Sequence, residues 1–132
     1  MIDGIWYVEI FGLYGWESIG MLALHEGHVV GGGDHHYTLG SYTASNDQVS
    51  ISCMMNYKEV PRTLFGESRN RFKVVFKGTY NDEKNRFEGL MHRPRKAKMS
   101  VGCRLNRGAD LPWSVKGDTK KTNKNSSKSK VK

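Results

Sequence analysis

The chain has 132 residues, 37% of them hydrophobic, and a formal net charge of +8. A length of this order makes one domain. No apolar run approaches the roughly 20 residues that cross a bilayer as a helix, and no basic-then-apolar leader opens the chain; the expectation is a cytoplasmic protein without membrane insertion, its Cys53 and Cys103 kept as free thiols.

The dominant period is two. Ile5 to Phe11 reads as a strand with Trp6, Val8 and Ile10 on one face, and Ile5, Tyr7 and Phe11 around Glu9 on the other. A strand apolar on both faces has its outer face covered as well, which makes Ile5, Tyr7 and Phe11 candidates for a homodimer interface. Gly12 to Gly15 turns the chain. Trp16 to Leu24 returns, with Met21 and Ala23 facing one way and Leu22 and Leu24 the other. His25-Glu26-Gly27-His28 reads as a tight hairpin, and Val29-Val30 begins a short strand that Gly31 to Gly33 end. Tyr37 to Thr43 is a fourth strand. Ser45-Asn46-Asp47 is a turn of residues that tolerate turn backbone angles, and Val49, Ile51, Cys53 and Met55 form the apolar face of a fifth strand. Pro61 stops pairing in the 57–70 connection, and Thr63-Leu64-Phe65 fits one helical turn. A connection this long is suited to capping one end of a barrel.

Phe72, Val74 and Phe76 then alternate with Arg71, Lys73 and Lys77. After the loop Asn81 to Asn85, Phe87, Gly89 and Met91 alternate with Glu88, Leu90 and His92. Arg93-Pro94-Arg95-Lys96 is a basic turn, and Met99, Val101, Cys103 and Leu105 share one face of a last strand. Both cysteines fall in apolar-alternating strands and read as buried structural thiols. About eight short strands with turns between them predict an all-β antiparallel barrel or half-barrel over residues 1–114. From Val115 onward the one further apolar residue is Val131. Such a segment cannot offset the entropy of ordering, so 115–132 reads as a disordered basic tail.

Charge is unevenly distributed. The tail carries seven lysines and one aspartate; residues 1–57 hold six acids and no Lys or Arg, whereas residues 58–114 hold fourteen basic and six acidic residues. Side by side in a barrel, these halves predict one acidic and one basic side, the first suited to a basic partner.

Catalytic and metal chemistry find little footing. Adjacent His35 and His36 on an extended segment point to opposite faces, and a third ligand would have to come from His25, Glu26 or His28. The glycine run lacks the following helix that a phosphate cradle requires. There is no Gly-x-Ser-x-Gly, and neither Cys53 nor Cys103 has a sequence context that activates a thiol. The expectation is no enzyme activity, no metal and no cofactor. Nucleic acid is an alternative: Arg93, Arg95, Lys96, Lys98 and the tail offer phosphate contacts, and aromatic and basic residues interleave from Phe72 to Lys77. Phe72 and Phe76 share the apolar face of Val74, however, which leaves at most non-specific binding through the tail.

Several segments together resemble the negative regulators of type III secretion of the GrlR type. They are Asp3-Gly4-Ile5-Trp6, Val30-Gly31-Gly32-Gly33-Asp34, Tyr37 with Leu39-Gly40-Ser41-Tyr42, Asn56-Tyr57 before Val60-Pro61, and Leu64-Phe65-Gly66 before the Phe72 strand, continuing to about Leu105. The resemblance implies a calycin-like barrel that dimerises and a non-enzymatic regulator that binds a transcription activator. It also implies a partner-contact loop at Ala44, Ser45, Asn46 and Asp47, where the family prototype has four consecutive acids and this chain has Asp47 alone. The calycin likeness further implies a barrel interior lined by Trp6, Val8, Met55, Phe72, Val74, Phe76, Met91 and Met99. These side chains suit a lipid-like ligand or a packed core. It implies, too, a barrel-end pair in which Arg104 packs across Trp6 by cation–π contact.

Overall fold

The computed structural model describes residues 2–59 and 69–112; the expected helical turn at 63–65 and the tail from 115 to 132 lie outside the described residues. Eight strands follow one another: β1 (Gly4–Gly12), β2 (Gly15–His25), β3 (His28–Gly32), β4 (His36–Ser45), β5 (Gln48–Tyr57), β6 (Arg71–Asn81), β7 (Arg86–His92) and β8 (Val101–Ala109). Each pairs antiparallel with the next, and β8 pairs back onto β1, so the sheet closes into an up-and-down barrel. The helical content of the described residues is one 3₁₀ turn, Ala97–Met99.

The period of two sorts the side chains. Trp6, Val8 and Ile10 of β1 point inward and meet Leu22 and Leu24 of β2, Ile51, Cys53 and Met55 of β5, and Phe72, Val74 and Phe76 of β6. Closure gives every strand two hydrogen-bonded neighbours, which removes the exposed edges that an open sheet would leave. Tight turns set the register. Glu26 (φ 48°) and Gly27 (φ 85°) form the two-residue hairpin of positive φ that matches strand twist, pairing His25 with His28.

Two boundaries differ from the sequence expectation. β3 runs through Gly31 and Gly32 instead of ending before them; Gly32 pairs with Met21 on one side and Tyr37 on the other. A Cβ on Gly31 would lie 2.1 Å from the Met21 carbonyl oxygen, and one on Gly32 (φ +155°) would lie 2.5 Å from that of His36. Glycine is needed here because the neighbouring backbones approach closely within the sheet. Met99, expected in line with Val101, instead ends the 3₁₀ turn, where its N–H donates to Lys96 O at 3.0 Å. That turn takes it out of the strand alternation and leaves it 53% exposed.

A meander places alternate connections at the same end. The first end gathers the start of β1, the β2–β3, β4–β5 and β6–β7 turns, and the exit from β8. It carries six carboxylates, Asp3, Glu26, Asp47, Asp82, Glu83 and Asp110, against Lys84, Arg86 and Arg107. The second end gathers the β1–β2, β3–β4 and β7–β8 connections and the residues flanking β5 and β6. It carries Lys58, Arg69, Arg71, Lys73, Arg93, Arg95, Lys96 and Lys98 against Glu17, Asp34 and Glu59. The charge asymmetry therefore also runs along the barrel axis, from an acidic end to a basic end, while β1 to β5 carry no Lys or Arg. Acids from both halves of the chain lie mostly in turns, and the topology brings those turns together.

Candidate functional site

At the acidic end the barrel opens into a cavity of about 530 Å³. Trp6, Phe87 and Tyr80 supply its aromatic lining, Arg107 one wall, and the hairpin Ala44, Ser45, Asn46 and Asp47 its rim, opposite Asp82 and Asn85. The four candidate partner-contact residues thus share one concavity with Trp6. Trp6 is fixed from several directions. Its Nε1 donates to Ile2 O at 2.9 Å, its ring meets Phe87 at 5.2 Å, and the Arg107 guanidinium lies 5.0 Å from the ring centroid. Beside the mouth, Asp3 ties the start of β1 to its neighbours. It accepts from Tyr42 Oη and from the backbone N–H of Glu26, the latter at 3.2 Å. Burial, and then this bond to Asp3, pushes the Tyr42 hydroxyl pKa up.

The expected Trp6–Arg104 pair is replaced by Trp6–Arg107. In β8 the inward series is Cys103, Leu105 and Arg107, so Arg104 has the opposite parity and points out of the barrel. There its guanidinium lies 3.8 Å from the Trp16 ring centroid and its Nε donates to Glu9 Oε1 at 2.7 Å. Asn106 Nδ2 donates to the same oxygen at 2.9 Å. The Arg104 bond, with help from Asn106, holds the Glu9 carboxyl below its ordinary value of 4.5. A depressed folded-state pKa stabilises the fold above the unfolded value and loses that contribution as pH falls through the folded one. Glu9→Gln is accordingly expected to lessen the drop in melting temperature as pH is lowered below about 4.5, read by thermal melts of both proteins across that range.

Seven of the eight candidate lining residues, Trp6, Val8, Met55, Phe72, Val74, Phe76 and Met91, do converge inside the barrel, and Met99 does not. They fill it. The apolar void inside, bounded by β1, β2 and β4 to β8, is about 40 Å³, room for a water molecule and not for a lipid chain. Cys53 and Cys103 belong to this filling, as expected, and burial pushes both thiols up to about 12. Both are expected to resist a thiol-specific reagent in the native protein and to react fully in denaturant; prompt labelling of either in the native state would contradict this packing.

The outer face carries what the interior does not use. Ile5, Tyr7 and Phe11 all point outward, as expected, but Phe11 is already packed edge-on against Trp16 at 5.4 Å. The larger apolar surface lies beyond β1. Cross-strand register places Ile5, Ala23, Val30, Leu39 and Met54 side by side across β1 to β5. A second row joins Tyr7 to Met21 and, past Gly32, to Tyr37. Val30 is 54% exposed and Leu39 51%. Sequence reasoning did not single out these residues, although Met21 and Ala23 opposite Leu22 and Leu24 make the second strand as doubly apolar as the first.

At the basic end, His36 stacks on Tyr57 (4.7 Å, 21°), and Tyr57 stacks in turn on Phe72 (5.9 Å, 9°). Burial, with help from the neighbouring His35, lowers the His36 pKa. His25, Glu26 and His28 lie at the opposite end of the barrel, so they cannot complete a ligand set with His35 or His36.

These features define a closed β-barrel with a packed interior and its open surfaces on the outside and at the two ends. No protein-family model matches the chain, and no curated protein matches it. Among the described residues no helix is long and apolar enough to cross a membrane.

Proposed function

We propose that this chain is a non-enzymatic cytoplasmic binding module that acts as a homodimer and holds a protein partner, in the manner of the GrlR-type regulators its sequence resembles. The observation that carries this reading is the pair of apolar rows on the outside of a barrel whose inside is already full. Contiguous exposed apolar surface of this kind marks a protein interface. The rows contain no Lys or Arg and end near the Glu9–Arg104 pair, a polar rim beside an apolar centre. A second copy is the occupant because the sheet face is uncharged and therefore self-compatible.

The partner is placed at the acidic end. The hairpin Ala44 to Asp47 supplies one carboxylate to that end, and Asp82, Glu83 and Asp110 stand on neighbouring connections. A basic partner segment suits this charge and the aromatic-lined cavity behind it. Light scattering at micromolar concentration tests the dimer. The expected mass is twice that of the 15.0 kDa chain; a monomer would remove the interface.

A further inference from the structure

We propose that the basic end of the barrel binds single-stranded nucleic acid, with bases seated against the rings of Tyr37 and His36, the latter backed by Tyr57, and phosphates held by the surrounding lysines and arginines. This surface is separate from the acidic mouth, and its assignment does not rest on the proposed dimer.

Three observations converge. The first is charge. Lys58, Arg69, Arg71 and Lys73 stand at the junction of β5 and β6, and Arg95, Lys96 and Lys98 stand on the β7–β8 connection at the same end. All seven are exposed, and Asp34, Glu17 and Glu59 are the acids near them among the described residues. A concentration of positive charge at one end steers a polyanion to that end.

The second is shape. Two adjoining depressions of about 380 and 360 Å³ share Asp34, His36 and Tyr57 as a common wall. The larger is bounded by Tyr37, Asn56, Lys58, Asn70 and Arg71. It therefore combines ring faces with amide groups that can donate to and accept from base edges, and with cations at its rim. That is the combination by which single strands are held: stacking that tolerates any base, framed by phosphate contacts. The Asp34 carboxylate in the shared wall can accept from an exocyclic amino group.

The third is the source of the rings. Phe72 and Phe76, the aromatics that interleave with basic residues in the sequence, are buried core. The accessible ring comes instead from the start of β4, where Tyr37 is 56% exposed, next to His36, which Tyr57 backs by stacking. A duplex keeps its bases stacked on one another and offers them no such access, so the single strand is the form that fits.

The test is fluorescence anisotropy with a labelled single strand of about twelve nucleotides, the duplex of the same sequence, and the full chain. The single strand is expected to bind more tightly. With about four phosphates contacted, its affinity should fall about 50-fold between roughly 50 and 200 mM salt. The double variants Arg71→Glu/Lys73→Glu and Lys96→Glu/Lys98→Glu should each weaken it about tenfold or more. Tyr37→Ala should weaken single-strand binding about tenfold and leave the duplex unchanged. Full chains in which the seven lysines of residues 115–132 are replaced by serine should keep the preference. The proposal is overturned if that tail variant abolishes binding while the Arg71 and Lys73 pair has no effect. Equal binding of duplex and single strand would overturn it as well. Tyr37 is the last residue of the second apolar row, so light scattering on the same sample separates a lost dimer from a lost site. Lys73 is the cross-strand neighbour of Met54 at the end of the first row, so the Arg71 and Lys73 variant is weighed by light scattering as well, and the Lys96 and Lys98 pair, on the β7–β8 connection, reads the site away from the rows.

Discussion

Trp6→Ala is expected to cost about 3–5 kcal/mol of unfolding free energy, the range for truncating a large buried aromatic, out of a total of about 5–15 for a domain of this kind. Trp6 is 1% exposed. Its ring separates the mouth cavity from the core, resting on Phe87 and lying under Arg107. Removing it joins an open cavity to the top of the apolar interior, so water enters where the indole stood. It also leaves the Ile2 carbonyl without its indole donor and Arg107 without its aromatic surface. Urea unfolding followed by circular dichroism measures the loss, and the melting temperature should drop by roughly 15 °C or more. Trp6→Phe is the informative companion. It keeps a ring in place and forfeits one hydrogen bond and part of the contact area, a cost of about 1 kcal/mol for the bond plus a smaller packing loss. Trp16→Ala, outside the barrel, should cost about 1 kcal/mol from its contact with Arg104. If Trp6→Ala and Trp16→Ala were equally mild, Trp6 would not be closing the barrel.

The double variant Val30→Asp/Leu39→Asp is expected to convert the proposed dimer into a folded monomer. The two residues are cross-strand neighbours at the middle of the first apolar row. Each aspartate would place an unpaired carboxylate in a desolvated contact, once per protomer, and removing a central anchor typically costs at least about 2 kcal/mol. Together the two changes should weaken self-association at least about a thousandfold. Both positions face solvent in the single chain, so the fold itself should lose no more than about 1 kcal/mol per residue in strand preference. Sedimentation velocity at micromolar concentration, alongside the unfolding curve, separates these effects. Thr79→Asp, outward on β6 and away from the rows, should leave the mass unchanged. An unaltered mass for the Val30 and Leu39 variant would place the self-contact elsewhere.

How much could be read beforehand differs from element to element. Wherever one strand face is apolar, period-two patterning assigns direction without further help. β5 and β6 were legible residue by residue, and so was the inward role of Trp6, Cys53 and Cys103. For Arg104 the alternation overrides the likeness to calycins: it follows Cys103 and precedes Leu105, both inward, so it points out. Trp6 faces Arg107 in the same regular register that pairs Val8 with Leu105 and Ile10 with Cys103, and nothing local announces that the first and last strands pair this way. Met99 was lost to a short-range event, a 3₁₀ turn that interrupts the alternation. Glycine usually punctuates, so the run reads as a strand end in the sequence; in the sheet, close backbone approach by β2 and β4 requires it.

The candidate surfaces divide in the same way. The first strand alone revealed that an apolar face would be left outside. Its extent across Ala23, Val30 and Leu39 depends on register, which places residues from four strands in a row. Charge composition by itself established an imbalance between the halves of the chain, since side chains can be counted without a fold. Its geometry could not be counted. A meander returns every second turn to the same end, and the acids of both halves sit mainly in those turns, so the topology adds a difference between two ends to the difference along the chain. The sequence by itself thus determined an all-β body with a buried Trp6 and two inward thiols, because alternation is a local property. The tertiary structure alone decided that the interior is full, that Arg107 rather than Arg104 covers Trp6, and that acidic and basic surfaces lie at opposite ends. Each of those follows from which distant strands become neighbours.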